Sequence, residues 1–159
     1  MNITLYCIGS LKEMHWKAAC AEYEKRLKPY VKLQVIELPD CPCPEGASEA
    51  EMAAIKEKEG RHVLEKLSPS DYLIALYLWK KQYGVPEFAA HIEEAFVRGG
   101  SKISFVIGGS LGLSESLKKR ANESLSFGEL TLPHQLARVV LMEQLYRAFR
   151  ILHHEPYHK

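Results

Sequence analysis

Between Lys102 and His134 the chain carries two strand-like runs, each leading straight into a glycine-bearing loop. Ile103-Ser104-Phe105-Val106-Ile107 is β-branched and aromatic, which suits a buried strand. Gly108-Gly109 and Gly112 follow, where backbone must turn sharply or approach something closely. Ser114 has the chemistry of a helix N-cap for a short helix over residues 115–121. A second apolar run, Ser124 to Phe127, then enters Gly128-Glu129-Leu130-Thr131-Leu132-Pro133. Two strands joined by a helix in so short a span form a βαβ unit, whose strands are parallel. In an open α/β sheet, ligands bind at the carboxyl ends of the strands, where such loops gather. Two ordinary glycine turns are the competing reading of this pattern.

The rest of the chain repeats the alternation. Residues 2–8 predict a first strand closing on Gly9, and Met14 to Leu27 a helix with Ala18, Ala19, Tyr23 and Leu27 at helical spacing. Val31 to Leu38 predicts a second strand, stopped by Pro39. Residues 40–47 hold Pro42, Pro44 and Gly46 and predict a loop. Cys41 and Cys43 lie there, but no second pair with zinc-ligand spacing exists, so no metal is expected. Ser48 followed by Glu51 is a capping box opening a charged helix to about Leu67. Asp71 to Leu78 predicts an interior strand, and Pro86 to Val97 a helix with proline in its first turn. The final helix, His134 to Leu152, has an apolar set too wide for one face of a small domain. It is either sandwiched in the core or, the preferred reading, meets a second subunit. The alternation gives an α/β class with a mainly parallel sheet.

Composition narrows the partners. A 159-residue chain, 47% hydrophobic and 26% charged, makes a single domain over 1–159 with a real core. A net charge of +1 makes no global demand for nucleic acid or membrane, so an anionic partner must be met by a local patch. No apolar run approaches a membrane span. The N-terminus enters a strand without a basic segment before a long apolar stretch, so no signal peptide is expected. Cys7 and Cys20 sit in apolar contexts, and four cysteines make no disulfide framework. A cytoplasmic location follows.

Three chemistries compete for the loops. Gly108-Gly109-Ser110-Leu111-Gly112 is no Walker loop, because no Gly-Lys-Ser/Thr follows. A dinucleotide site has Glu129 at the right distance for a ribose, but the spacing is G-G-x-x-G and no second βαβ half follows. A nucleoside cofactor such as S-adenosylmethionine, held by backbone groups of the two loops, needs no metal and few charges. The C-terminal end adds His134, Arg138, Arg147, Arg150, His153, His154, Tyr157, His158 and Lys159 against only Glu143 and Glu155. That set suits phosphate contact and base stacking, or simply a solvated helix end with the Glu143–Arg147 pair.

Taken together, three segments and the tail resemble one family. They are Phe105-Val-Ile-Gly-Gly-Ser-Leu-Gly-Leu113, Leu125-Ser126 with Leu130-Thr131-Leu132-Pro133-His134-Gln135, and Arg138 to Ala148, with the ending Pro156-Tyr157-His158-Lys159. The family is the RlmH-type SPOUT methyltransferases, which methylate pseudouridine at N3 in 23S ribosomal RNA. The likeness extends to Gly9-Ser10-Leu11-Lys12 and Tyr23-Glu24-Lys25-Arg26-Leu27. It implies a trefoil knot over about 103–152, against the rule that chains do not thread loops, and a homodimer packed through the last helix. It places S-adenosylmethionine against Leu76, Gly108 and the run Phe127, Gly128, Glu129, Leu130, Thr131 and Leu132. His134, Arg138, Tyr157 and His158 are then expected at the target nucleotide, Arg138 on phosphate or imide anion, Tyr157 stacking or hydrogen-bonding and His158 assisting proton removal. The substrate implied is large-subunit rRNA in the assembled ribosome, consistent with a chain too weakly charged to bind naked RNA. After the third strand the family carries an acid, Gly-Lys and a polar pair, where this chain has Tyr77, Lys80-Lys81 and Gly84-Val85. The alternatives are a non-catalytic ribosome-binding dimer of the same fold and a nucleotide-binding α/β protein.

Overall fold

The computed structural model describes residues 1–78 and 80–157. Five parallel strands form one sheet in the order β2-β1-β4-β3-β5. In chain order the elements are β1 (Asn2–Ile8), α1 (Met14–Leu27), β2 (Lys32–Leu38), α2 (Glu49–Leu64), β3 (Tyr72–Leu76), α3 (Val85–Arg98), β4 (Lys102–Ile107), α4 (Glu115–Arg120), β5 (Glu123–Leu125) and α5 (His134–Leu152).

Strand residues alternate between two cores, as a two-residue repeat requires. Ile3, Leu5 and Cys7 of β1, Ile74 of β3 and Ile103, Phe105 and Ile107 of β4 join residues of α1, α3 and α5 on one face. Tyr6, Ile8, Leu73, Ala75 and Val106 join Val63 of α2 and Leu117 of α4 on the other. The molecule is therefore three layers, helices on both faces of a parallel sheet. Burial pushes the Cys7 thiol up to about 12, which makes it an inert core residue.

Element ends follow local chemistry. Ser48 Oγ accepts from Glu51 N at 3.1 Å, and Ser114 Oγ accepts from Leu117 N at 3.2 Å, so both predicted caps form. Three element ends differ from the sequence reading by two residues or more. α2 stops at Leu64 because Lys66 and Leu67 bond back only three residues, to Val63 and Leu64, closing a tight turn. β5 covers 123–125, not 124–127, because Ser126 N turns to Lys81 O at 2.9 Å. β3 ends at Leu76, which releases Tyr77 and Leu78 toward the loops.

The wide apolar set of α5 is met largely inside the chain. The helix lies between α1 and α3 across β4, and none of its 19 residues is fully exposed. Ala137, Leu141, Leu145, Ala148 and Phe149 are buried, while Leu136, Val139 and Val140 stay half-buried. No helix among the described residues is long and apolar enough to cross a membrane.

Candidate active site

The carboxyl ends of β3, β4 and β5 open into a cavity of about 810 Å³, in the size range of small-molecule sites. Its floor is the turn after β4. Gly112 N donates to Gly109 O at 3.0 Å, and Gly112 has φ +87, which favours glycine. A Cβ on Gly108 would stand 2.7 Å from the Gly112 carbonyl carbon, so the turn closes only because residue 108 has none. The opposite wall is the loop after β5. There Ser126 Oγ donates to Gly128 O at 2.8 Å and accepts from Gly128 N, and Gly128 holds φ +133. Tyr77 N, bonded to Leu125 O at 3.0 Å, ties the segment after β3 to the end of β5, where this loop begins.

Of the predicted cofactor residues, Leu76, Gly108, Phe127, Leu130, Thr131 and Leu132 line this cavity. Gly128 and Glu129 belong to the same loop but do not line it, and the Glu129 side chain is exposed. Leu130 is 83% exposed, an apolar side chain left uncovered at the mouth. The apolar lining and the backbone groups of two glycine loops fit a nucleoside, and among the described residues no acidic side chain lines the wall. Sequence reasoning missed Lys56 of α2, Tyr77 and Lys118 of α4, which line the same space. The substituted loop after β3 was the only signal for them, and it pointed to Tyr77 alone.

The predicted nucleotide residues do not converge in one chain. His134 lines the cavity, and burial, aided by the Arg138 cation, pushes its pKa below the ordinary value, leaving a neutral imidazole. Arg138 was expected on the nucleotide and points elsewhere. It is 3% exposed, donates to Gly9 O at 3.2 Å and to Glu37 at 3.1 Å, and fastens the end of β1 to the end of β2. One turn below His134, its side chain enters the core instead of the cavity. Tyr157 follows α5 and folds back along it, donating to Glu143 midway along the helix at 3.0 Å, with the Arg147 guanidinium 4.5 Å from its ring centre. Glu143 is nine residues from His134, roughly 13 Å along a helix. His158 lies outside the described residues.

The model of the family described as "Predicted SPOUT methyltransferase" matches residues 1–158. This chain belongs to the SPOUT methyltransferases. Over 159 residues, the full length of both chains, it is 56% identical to proteins of Bacillus thuringiensis (strain Al Hakam) and Bacillus cereus (strain B4264). Each is named ribosomal RNA large subunit methyltransferase H. Among solved structures, a Legionella pneumophila protein assigned as a methyltransferase and determined with SAM bound matches 96% of this chain and 66% of its own. It does so with a TM-score of 0.50 at 12% identity, a likeness of fold. The SPOUT chain thus carries its cavity where the carboxyl ends of parallel strands and two glycine loops meet.

Proposed function

We propose that this SPOUT chain methylates N3 of a pseudouridine in 23S rRNA of the assembled ribosome, using S-adenosylmethionine and working as a homodimer. The observation that carries the reading is the cavity walled by Leu76, Gly108 and the 127–132 loop, beside a neutral His134. The full-length likeness to large-subunit rRNA methyltransferases supports the substrate class. The sulfonium donor supplies a methyl group reactive without a metal.

The chain's own residues then have three tasks. Leu76, Phe127 and Leu132 offer apolar surface to a nucleoside, while the backbone after β4 and β5 fixes its orientation. His134, neutral at the cavity wall, accepts a hydrogen bond from the imide N3–H and helps the proton leave. Arg138 acts as a positioning residue, holding Gly9 O and Glu37 and keeping His134 neutral.

Tyr157 is too far along α5 to meet the cavity of its own chain, so its place at a nucleotide requires a second copy. The face of α5 carrying Val140 and Gln144, beside Phe127 and Phe88, is the surface on which that copy packs. The threading of 103–152 as a trefoil knot belongs to the same reading.

Labelled methyl transfer from S-adenosylmethionine to ribosomes lacking the modification tests the proposal, with the product nucleoside identified by mass spectrometry. Incorporation at pseudouridine N3 is the expected result. Saturable ribosome and cofactor binding without transfer would favour the non-catalytic dimer instead.

A further inference from the structure

The cavity that His134 lines also carries cations that the cofactor does not require. Tyr77, standing where the family has an acid, has the Lys118 ammonium 5.0 Å and the Lys80 ammonium 5.5 Å from its ring centre. Lys56 and Lys118 line the cavity beside it, brought together by the packing of α2 on α4, where Ser116 donates to Glu57 through both its N–H and its hydroxyl. Lys118 also reaches Glu115 at 3.2 Å, but that carboxylate is largely exposed and neutralises it weakly. Among the described residues, Lys56 and Lys80 make no ion pair.

A chain of net charge +1 thus sets two ammonium groups, those of Lys80 and Lys118, on the Tyr77 ring, with a third lysine, Lys56, lining the same cavity as Tyr77 and Lys118. S-adenosylmethionine carries a sulfonium and a zwitterion, so nearby cations do not favour it as a whole. An RNA strand carries one negative charge per nucleotide and is favoured strongly. We propose that Lys80 and Lys118, flanking Tyr77, and Lys56 of the same cavity hold the phosphodiester backbone of the RNA strand that presents the target nucleotide. The assignment rests on the methyltransferase reading for its substrate, and it supplies the local charge that the overall composition lacks. Tyr77 orders the two flanking ammonium groups by cation–π contact.

The test uses the full-length protein with K56A, K80A and K118A singly and together, and K119A as a control. Lys119 is exposed on the same helix and does not line the cavity. Ribosome binding by sedimentation, KM and kcat for methylation, and calorimetric binding of S-adenosylmethionine are measured for each. The triple variant is expected to raise the ribosome Kd and KM by about tenfold or more. Its salt dependence should become shallower by about one logarithmic unit per lysine removed. Cofactor affinity should stay within about twofold, and K118R should recover most of the loss.

Unchanged ribosome affinity and salt slope in an enzyme that methylates would overturn the proposal and leave the function intact. Weakened cofactor binding with unmoved ribosome affinity would overturn it in favour of the cofactor carboxylate. Lysine-dependent, salt-sensitive ribosome binding without methyl transfer would uphold it and defeat the catalytic reading.

Discussion

The cavity and the far end of α5 are built by opposite means. Around the cavity the defining contacts are backbone to backbone: Gly108 against Gly112, Gly109 bonded to Gly112, Tyr77 to Leu125, Ser126 to Lys81. At the end of α5 they are side chain to side chain. Glu143 accepts from Arg147 at 2.7 Å and from Tyr157 at 3.0 Å, Tyr146 meets Tyr157 edge-on, and Arg150 pairs with Glu155. A backbone-built site is rigid before any ligand arrives, because moving it breaks the sheet ends that carry it. A side-chain-built end can exchange partners at the cost of a few partly exposed hydrogen bonds. The first suits a cofactor pocket, and the second suits a tail that changes contacts when a second chain or an RNA arrives.

The comparison breaks most directly at Gly108. Gly108→Val drives two further carbons into the Gly112 backbone, and overpacking of this kind costs about 1–3 kcal/mol. Calorimetry is expected to show S-adenosylmethionine affinity reduced by about 100-fold, while circular dichroism retains the native spectrum. Retained affinity would mean that the turn after β4 is not the cofactor's floor.

A smaller effect separates Arg138 from the cavity. Arg138→Ala removes the clamp between Gly9 O and Glu37 and is expected to lower stability by about 1–3 kcal/mol, read as a denaturation midpoint. Cofactor affinity should fall far less than in Gly108→Val. A stable Arg138→Ala protein that binds cofactor but transfers no methyl would return Arg138 to the nucleotide.

His134 adds a pH signature. Its folded pKa lies below the unfolded value near 6.5, so the unfolded chain takes up the proton first as pH falls. Stability should therefore fall with acid from about pH 6.5 until the folded imidazole also titrates, and His134→Gln should flatten that segment of the curve. A slope unchanged by the substitution would show that the histidine is as well solvated folded as unfolded.

Tyr157→Phe is the mildest case. It removes one hydrogen bond to Glu143, whose other partners, Arg147 and Gln144, remain, and stability should change by at most about 0.5–1.5 kcal/mol. Methyl transfer should suffer more than stability does, because the tail's proposed work lies in the other chain's cavity. Equal effects on both would tie Tyr157 to its own helix alone.

Much of the fold was legible because its signals are local. α1 and α5 have the predicted bounds, and Ser48 and Ser114 cap as their types and spacings require. The cavity residues from Leu76, Gly108 and the 127–132 loop came from resemblance, whereas the loops themselves were visible as glycines after strands. The misplacements share a cause. Arg138 carries a charge that a sequence reader sends to a ligand, yet one turn of α5 aims it at Gly9 and Glu37, over a hundred positions away in the chain. α1 and α3 of the same chain cover most of α5's wide apolar set, while Leu136, Val139 and Val140 stay half-buried, Val140 on the face proposed for the second copy.

By itself, then, the sequence determined the strand and helix content, the parallel sheet and the places where backbone must bend, because periodicity, caps and glycines act within a few residues. Only the tertiary structure decided which side chains share a space. It brought Lys56, Tyr77 and Lys118 to one cavity, set Arg138 under the end of β1, and laid Tyr157 against Glu143 midway along α5. Those neighbours come from three different crossovers of one sheet, and the strand order β2-β1-β4-β3-β5 that joins them is fixed by packing between distant segments.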